Sequence, residues 1–258
     1  MILINAIYFK GNWAQNFDKA LTRKRYFYNS KKEKNLVEFM QSENEYYYFE
    51  NEVIQAISLD YEKDNMEALI ILPKNDNIND YIKNFNQKEY NNILECLYEE
   101  KVKLYLPKFE LEFKKTLNDL LQNLGMKLAF DENNADFFNL FEKPEEKRNE
   151  INFYISEIRQ KAYIKIDEEG TEAVAITSIC VNITGIKRKR KINIMDINHP
   201  FLFIIRNQDL PSEHDILFIA KIEELKEKEK NGIECKSKSR SESKSRSRSR
   251  DRSRNKEE

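Results

Sequence analysis

Hydrophobic and polar residues alternate in several stretches of the chain, and this period-two pattern predicts β-strands. Residues Ile2 to Trp13 cluster Ile, Leu, Ala, Tyr and Phe up to Gly11-Asn12, which predicts a buried strand closed by a turn. A chain that opens in a buried strand is expected to lack the segment before it. Val53 to Leu59 and Met66 to Leu72 predict a hairpin with one face in water.

Similar patterns continue in the second half of the chain. Val102 to Phe113 keeps its alternation through Pro107-Lys108, which predicts a long strand with a kink at the proline. Further apolar stretches predict strands at Tyr154 to Ile166, Phe201 to Ile205 and Ile216 to Ile222.

Helical spacing of apolar residues is confined to two places. Asn77 to Tyr98 predicts two short helices separated near Asn86, and Leu117 to Leu124 predicts one more that ends at Gly125. Many strands, few helices and no repeated βα alternation predict an α+β fold with mainly antiparallel sheets.

Composition separates a globular body, residues 1–225, from a tail, residues 226–258. The tail carries 13 Lys and Arg against 7 Asp and Glu, so the body holds 31 basic and 38 acidic residues and has a net charge of -7. Residues 226–235 are a Lys/Glu run, and residues 236–254 are Arg/Ser-rich without any apolar side chain. Such a segment cannot offset its ordering entropy by burial, and we expect it to be disordered.

The same composition argues against several classes of function. Three cysteines without a close pair, Cys96, Cys180 and Cys235, suggest neither a disulfide framework nor a zinc site. His199 and His214 are the only histidines, which argues against a His-dependent catalytic triad or metal centre. We therefore expect neither a metal site nor a His-dependent active site. No apolar run is long enough to span a membrane, and nucleic acid is an expected partner only through the tail.

Five stretches, taken in order, resemble the serpin family of suicide-type serine protease inhibitors over about residues 2–224. They are LINAIYFKGNW at 3–13, LPKFELE at 106–112 followed by LGMKLAF at 124–130, IRQKAYIKIDEEGTEAVAIT at 158–177, MDINHPFLFII at 195–205 and ILFIAKI at 216–222. The resemblance implies mixed sheets with an exposed reactive loop at about 170–195. It also implies that the N-terminal helices and two strands of the central sheet are absent, so that the chain is a partial serpin domain.

The resemblance implies that four residues support the opening of the central sheet during loop insertion. Asn5 and Trp13 match the third central strand, and Lys108 is expected to pair with Glu168 as an exposed, weakly stabilising ion pair. Where the family leads us to expect a histidine, the chain has Gln160, whose amide can still hydrogen-bond Asn5.

In the mechanism that the resemblance implies, a protease cleaves the loop, becomes acylated, and is carried away as the loop inserts into the central sheet. Insertion needs a permissive hinge and small inward-facing side chains. The hinge falls on Glu168, Glu169, Gly170, Thr171, Glu172, Ala173 and Ala175. A turn followed by an ordinary strand is the alternative interpretation of this stretch.

Two positions compete for the cleaved bond. Counting along the loop as the family does places it between Thr184 and Gly185. The basic run that follows suits a trypsin-like or paired-basic-specific protease, at Lys187, Arg188, Lys189 or Arg190. Cleavage at Arg188 would add about 13 Å of slack, which favours turnover of the loop as a substrate.

Three hypotheses follow for function. The first, implied by the resemblance, is a serine protease inhibitor that acts by loop insertion and is not an enzyme, with no cofactor and no catalytic residues of its own. The second is a non-inhibitory serpin-like interaction protein whose Arg/Ser tail directs nuclear or RNA-associated contacts. The third is that the chain is one piece of a longer inhibitor. The family implies an extracellular location, but the first residues lack the features of a secretory signal, which leaves an intracellular location open.

Overall fold

The computed structural model describes residues 1–75, 77–140, 153–171 and 191–226. All of them belong to one compact unit, Met1–Glu227. Their strands form two sheets, and three short α-helices accompany them: α1 (Ile78–Asn84), α2 (Gln87–Glu95) and α3 (Asn118–Asn123).

The five-stranded sheet contains the expected loop hinge. Its strands are β1 (Ile2–Tyr8), β2 (Gly11–Asn12), β8 (Phe109–Thr116), β9 (Glu157–Asp167) and β10 (Gly170–Thr171). β1 lies parallel to β9, while β8 and β10 pair antiparallel with β9. β10 also pairs antiparallel with β2, so it lies between β9 and β2.

The eight-stranded sheet has the order β11-β7-β4-β5-β6-β12-β13, with β3 paired to β4. Its strands are β3 (Arg23–Tyr28), β4 (Lys34–Glu50), β5 (Ile54–Asp60), β6 (Met66–Pro73), β7 (Tyr98–Pro107), β11 (Asn193–Asp196), β12 (Phe201–Asn207) and β13 (Ile216–Ile222). All its pairings are antiparallel except that of β11 with β7. Together the two sheets confirm the predicted fold class, with mixed sheets and few helices.

Two clusters of buried side chains hold the described unit together. The larger cluster joins side chains of both sheets, including Phe27, Phe109, Ile164 and Phe203. The smaller one joins α1 and α2 to the outer face of β5, β6 and β12.

The hairpin of β5 and β6 differs from its prediction. It forms as expected, but the side chains of β6 are buried along its whole length, because one face joins the larger cluster and α1 and α2 cover the other. The prediction of one wet face is therefore wrong.

β1 is the opposite case, because a strand predicted to be buried is exposed. Ile4 is 63% exposed, and Ile2, Leu3 and Tyr8 are also exposed. β1 is an edge strand that pairs only with β9 among the described strands. In β9, by contrast, the burial of Ala162, Ile164 and Ile166 shows that one face is packed.

Two turn residues act as predicted. The strand that begins in β7 bends at Pro107-Lys108 and continues as β8 in the other sheet, so the proline marks the change of sheet. Gly125 ends the α3 region with a positive φ of 106°, a conformation that glycine adopts without strain. The predicted tail, residues 226–258, lies almost wholly outside the described residues.

Candidate functional site

Gly170 lies where the expected loop leaves the five-stranded sheet, and no other residue type fits there. Its φ of 141° is one that other residues avoid, and a Cβ added to it would lie 2.2 Å from the carbonyl oxygen of Gly11. The backbone of Gly170 pairs with Asn12 on one side and Asp167 on the other. The start of the loop is thus held between two strands.

Thr171 follows as a fully buried residue. Its relative exposure is 0%, and its hydroxyl is 2.8 Å from the hydroxyl of Tyr61. Burial raises the pKa of Tyr61, so the phenol stays protonated. The inward orientation expected of Thr171 is therefore observed.

Trp13, the residue directly after β2, contacts the same region. Its ring stacks on Tyr61 with ring centroids 4.6 Å apart, and its indole Nε1 donates to the carbonyl oxygen of Asp167 at 3.0 Å. Its backbone N–H donates to the carbonyl oxygen of Glu169, also at 3.0 Å. The Trp13 side chain thus binds the end of β9, and the Trp13 backbone binds the residue before the hinge glycine.

Glu168 and Lys108 form the expected ion pair, but the pair is not exposed. Glu168 is only 4% exposed, and its Oε2 lies 3.0 Å from Lys108 Nζ. Thr22 donates its hydroxyl to Glu168 Oε1 at 2.7 Å, and Glu38 lies 3.3 Å from Lys108 Nζ. The description of a weak surface pair is therefore wrong, because the carboxylate is buried in a network of polar partners.

The charges of this network stabilise one another. Burial alone would raise the pKa of Glu168, but hydrogen bonds from Thr22, its own backbone amide and Lys108 hold the pKa below its ordinary value. Burial lowers the pKa of Lys108, whereas its contacts with Glu168 and Glu38 raise it, and the net pKa is raised. Both groups are charged at neutral pH.

Asn5 and Gln160 are directly opposite each other in the parallel pair of β1 and β9. Paired residues of neighbouring strands share a face of the sheet, so the two amides are neighbours. The contacts of the described residues include no hydrogen bond between these side chains. Their expected role in sheet opening stays a prediction.

The chain re-enters the described structure at β11, the far end of the expected loop. Arg25 of β3 donates from Nη2 to Asp196 Oδ2 at 2.7 Å, and its guanidinium lies 4.0 Å from the ring centroid of Tyr105. The backbone N–H of Tyr28 donates to the carbonyl oxygen of Asn198 at 2.8 Å. β3 therefore contacts the chain just after the loop.

The hinge residues Glu168, Glu169, Gly170 and Thr171 are brought together with Trp13 and Lys108, while Asn5 and Gln160 lie further along the same sheet. The remaining predicted residues lie outside the described residues: Glu172, Ala173, Ala175, Thr184, Gly185, Lys187, Arg188, Lys189 and Arg190.

Sequence reasoning missed three partners of the hinge. Thr22, Glu38 and Tyr61 all contact hinge or support residues through side chains. Tyr61 carried a weak signal, because it directly follows an apolar strand and precedes a polar turn. Nothing in the local sequence distinguishes Thr22 or Glu38 from other surface residues.

The described residues contain no group of three or more His, Cys, Asp or Glu side chains arranged to hold a metal ion. No helix among them is long and apolar enough to cross a membrane. Cys96 is a free thiol.

Known proteins resemble this chain over its whole globular body. The family model described as "Serpin (serine protease inhibitor)" matches residues 1–225. A serpin-like protein of Thermococcus kodakarensis is 33% identical over 86% of this chain and 49% of its own length. Antichymotrypsin-2 of Bombyx mori is 34% identical over 80% of this chain and 53% of its own length.

Solved structures agree with this resemblance. The native state of the thermophilic serpin tengpin matches with a TM-score of 0.70 and 31% identity, over 87% of this chain and 55% of that protein. The chain thus spans about half the length of the relatives it matches. The match also confirms that the chain is not an enzyme, since the family consists of non-enzymatic inhibitors. The chain belongs to the serpin family, as a partial serpin.

Proposed function

We propose that the chain is the loop-bearing part of a serine-type endopeptidase inhibitor that acts by cleavage and insertion of its reactive loop. The observation that carries the proposal is the position of Gly170 and Thr171, which already occupy a two-residue strand between β9 and β2. Further insertion would extend this strand without rebuilding the hinge.

The surroundings of the hinge support this mechanism. Thr171 is small and fully buried, and its hydroxyl contacts the hydroxyl of Tyr61, so the first inward-facing residue of the loop is already packed against the core. The network of Glu168, Lys108 and Thr22 anchors the strand that leads into the hinge. The residues from which insertion would begin are therefore held in place by this network.

Specificity is proposed from the sequence of the loop. Lys187 to Lys191 form a continuous basic run, and the acidic specificity pockets of trypsin-like proteases accept Lys or Arg. The target class is therefore a trypsin-like or paired-basic-specific serine protease.

Covalent trapping tests the proposal. The transcript is sequenced upstream of Met1, and any longer product that it encodes is incubated with trypsin in parallel with the 258-residue chain. A complex that survives denaturing electrophoresis is expected from the product that completes the five-stranded sheet. Cleavage of the loop in both proteins without any stable complex would refute inhibition by insertion.

One observation favours a second candidate, a non-inhibitory interaction protein. The apolar side chains of β1 are exposed in this chain, and such a surface is typical of one that binds another polypeptide. The same experiment separates the two candidates, because only the inhibitor forms a covalent complex.

A further inference from the structure

The hairpin of β3 and β4 spans the distance between the two ends of the expected loop. At the start of β3, Thr22 contacts Glu168, which lies before the hinge glycine. Along the same strand, Arg25 contacts Asp196, which follows the loop. The hairpin therefore lies beside both ends of the loop that a protease would bind.

The outward face of the hairpin presents large apolar side chains. β3 and β4 pair Tyr26 with Leu36 and Tyr28 with Lys34, so these four side chains share one face. Tyr26, Tyr28 and Leu36 are 47%, 40% and 36% exposed, whereas the opposite face packs Phe27 into the core. Three such side chains exposed side by side are more typical of a contact surface than of ordinary solvent-facing strands.

The same face is positively charged within an acidic body. Lys24, Lys34 and Glu38 share the face of Tyr26, and the turn adds Lys31, Lys32 and Glu33, which gives a net charge of +2, although residues 1–225 together carry -7. Lys34 Nζ lies 4.9 Å from the ring centroid of Tyr26, and Lys31 is exposed at the turn of the hairpin. Of the two acidic residues, Glu38 contacts Lys108 and Glu33 accepts a hydrogen bond from Asn29.

We propose that this face, with Tyr26, Tyr28, Leu36, Lys31 and Lys34, is a secondary docking surface for a serine protease whose own surface is acidic around its cleft. The inference rests on the proposed function, because the loop must bind the protease before this surface can. Its charge has the same sign as the basic run of the loop, so one acidic protease face complements both. The apolar side chains would then lie at the centre of the contact and the lysines at its rim.

The test measures kcat/KM for cleavage within residues 172–191 of the 258-residue chain, by mass spectrometry, with anionic and cationic trypsin. Both enzymes cut after Lys and Arg, so they differ mainly in surface charge. The variants are Lys31→Glu with Lys34→Glu, and Tyr26→Ser with Leu36→Ser. The matched control is Lys88→Glu, an exposed charge reversal on α2.

The lysine variant is expected to lower cleavage by anionic trypsin about five- to tenfold at low salt, and the difference should vanish at about 1 M salt. Cleavage by cationic trypsin should stay the same or rise. The serine variant should slow anionic trypsin at both salt concentrations, and the control should change neither enzyme.

Unchanged cleavage of the lysine variant by anionic trypsin would overturn the docking surface, and so would an equal loss with both enzymes. An intact parent loop after exposure to both enzymes would overturn the docking surface and the proposed function together. Lysine-dependent cleavage in the 258-residue chain, with no covalent trapping by a longer product that completes the sheet, would refute only the proposed function. Trapping at rates independent of Lys31 and Lys34 would refute only the docking surface.

Discussion

Glu168 is a buried carboxylate with a partner for each oxygen. Oε1 accepts from Thr22 and Lys108, and Oε2 lies 3.0 Å from Lys108 Nζ. We expect Glu168→Gln to lower the free energy of unfolding by about 1–3 kcal/mol at pH 7, because Lys108 loses its charged partner and the amide nitrogen faces other donors. Urea unfolding monitored by tryptophan fluorescence checks this, since Trp13 is the only tryptophan.

The free energy of unfolding lost in Glu168→Gln should depend on pH, and the two pKa shifts define the direction of that dependence. The folded-state pKa of Glu168 lies below its ordinary value of 4.5, so its contribution is present above that pH and disappears as the pH falls through the folded-state value. The pKa of Lys108 is raised, so its contribution is present up to its ordinary value of 10.5 and is lost as the pH rises further. The parent and the variant should therefore differ most between about pH 5 and 10.

Glu112→Gln is the matched control, since Glu112 pairs with Lys114 on the exposed part of β8. It should change the free energy of unfolding by less than about 0.5 kcal/mol. Equal losses for both variants at pH 7, or a Glu168→Gln loss that grows in acid, would contradict the role given to the buried pair.

A substitution at Thr171 can distinguish cleavage of the loop from covalent trapping of the protease. Its side chain is already fully buried beside Tyr61, so Thr171→Arg would place a charge beneath the sheet or unseat the first loop residue, and either outcome removes the starting point for insertion. In a product that traps trypsin, we expect this variant to be cleaved at the normal rate and to form no covalent complex. Densitometry of denaturing gels measures both quantities.

Thr171→Val controls for loss of the hydroxyl, because it keeps the volume and adds no charge. It should retain most of the trapping. Covalent trapping by the arginine variant would show that the loop does not insert through this position.

The reactive loop is the element on which target choice depends. Its hinge and its basic run are separate in sequence, from residue 168 to 175 and from Lys187 to Lys191. Deleting Lys187 to Lys191 should therefore abolish trypsin cleavage within the loop and leave Gly170 and Thr171 seated as before. Mass spectrometry of the digest identifies the sites that remain, with any residual cleavage expected near Thr184.

Replacing the five basic residues with serine keeps the length of the loop and removes only the charge. If trypsin recognises the basic side chains, the deletion variant and the serine variant should both resist trypsin cleavage within the loop. Trypsin nicking that continues within the loop of either variant would rule out the basic run as the recognised segment.

The elements that sequence predicted best are those whose local chemistry permits only one conformation. Gly170 needs a positive φ and a missing Cβ, and Pro107 marks a strand that changes sheets, so both left a signal in the sequence. The contacts of Thr22, Glu38 and Tyr61 depend on partners distant in the chain, and local patterns do not carry that information.

Burial was predicted less well than strand formation, for a similar reason. The apolar residues of β1 and β6 look alike in sequence, yet β6 is buried on both faces and β1 is exposed. The difference lies in what packs on them: α1 and α2 cover the hairpin, whereas the described residues supply no such cover for β1. A period-two pattern reports that a strand can be buried and not whether a partner is present.

At the scale of the whole molecule, the hinge and the sheet around it differ in how fully their contacts are formed. The described part of the hinge, residues 168–171, has its partners in this chain, because Gly170, Thr171 and the Glu168 network are all paired. The five-stranded sheet around it is not fully covered, since the chain spans about half the length of its relatives and β1 lies exposed at the edge. Loop insertion needs both a seat for the loop and a packed sheet that resists insertion until cleavage.

We therefore expect the 258-residue chain alone to be loosely packed or to self-associate, and not to trap protease. Leaving the side chains of Ile2, Leu3, Ile4 and Tyr8 uncovered forgoes roughly 1.5–3 kcal/mol each, which in sum approaches the stability of a whole domain. Light scattering, dye binding to exposed apolar surface and calorimetry measure the state of the chain, and Ile2→Lys with Ile4→Lys should reduce self-association without creating inhibition. A monomer that unfolds cooperatively and traps trypsin stoichiometrically would show instead that this half of the fold suffices for inhibition.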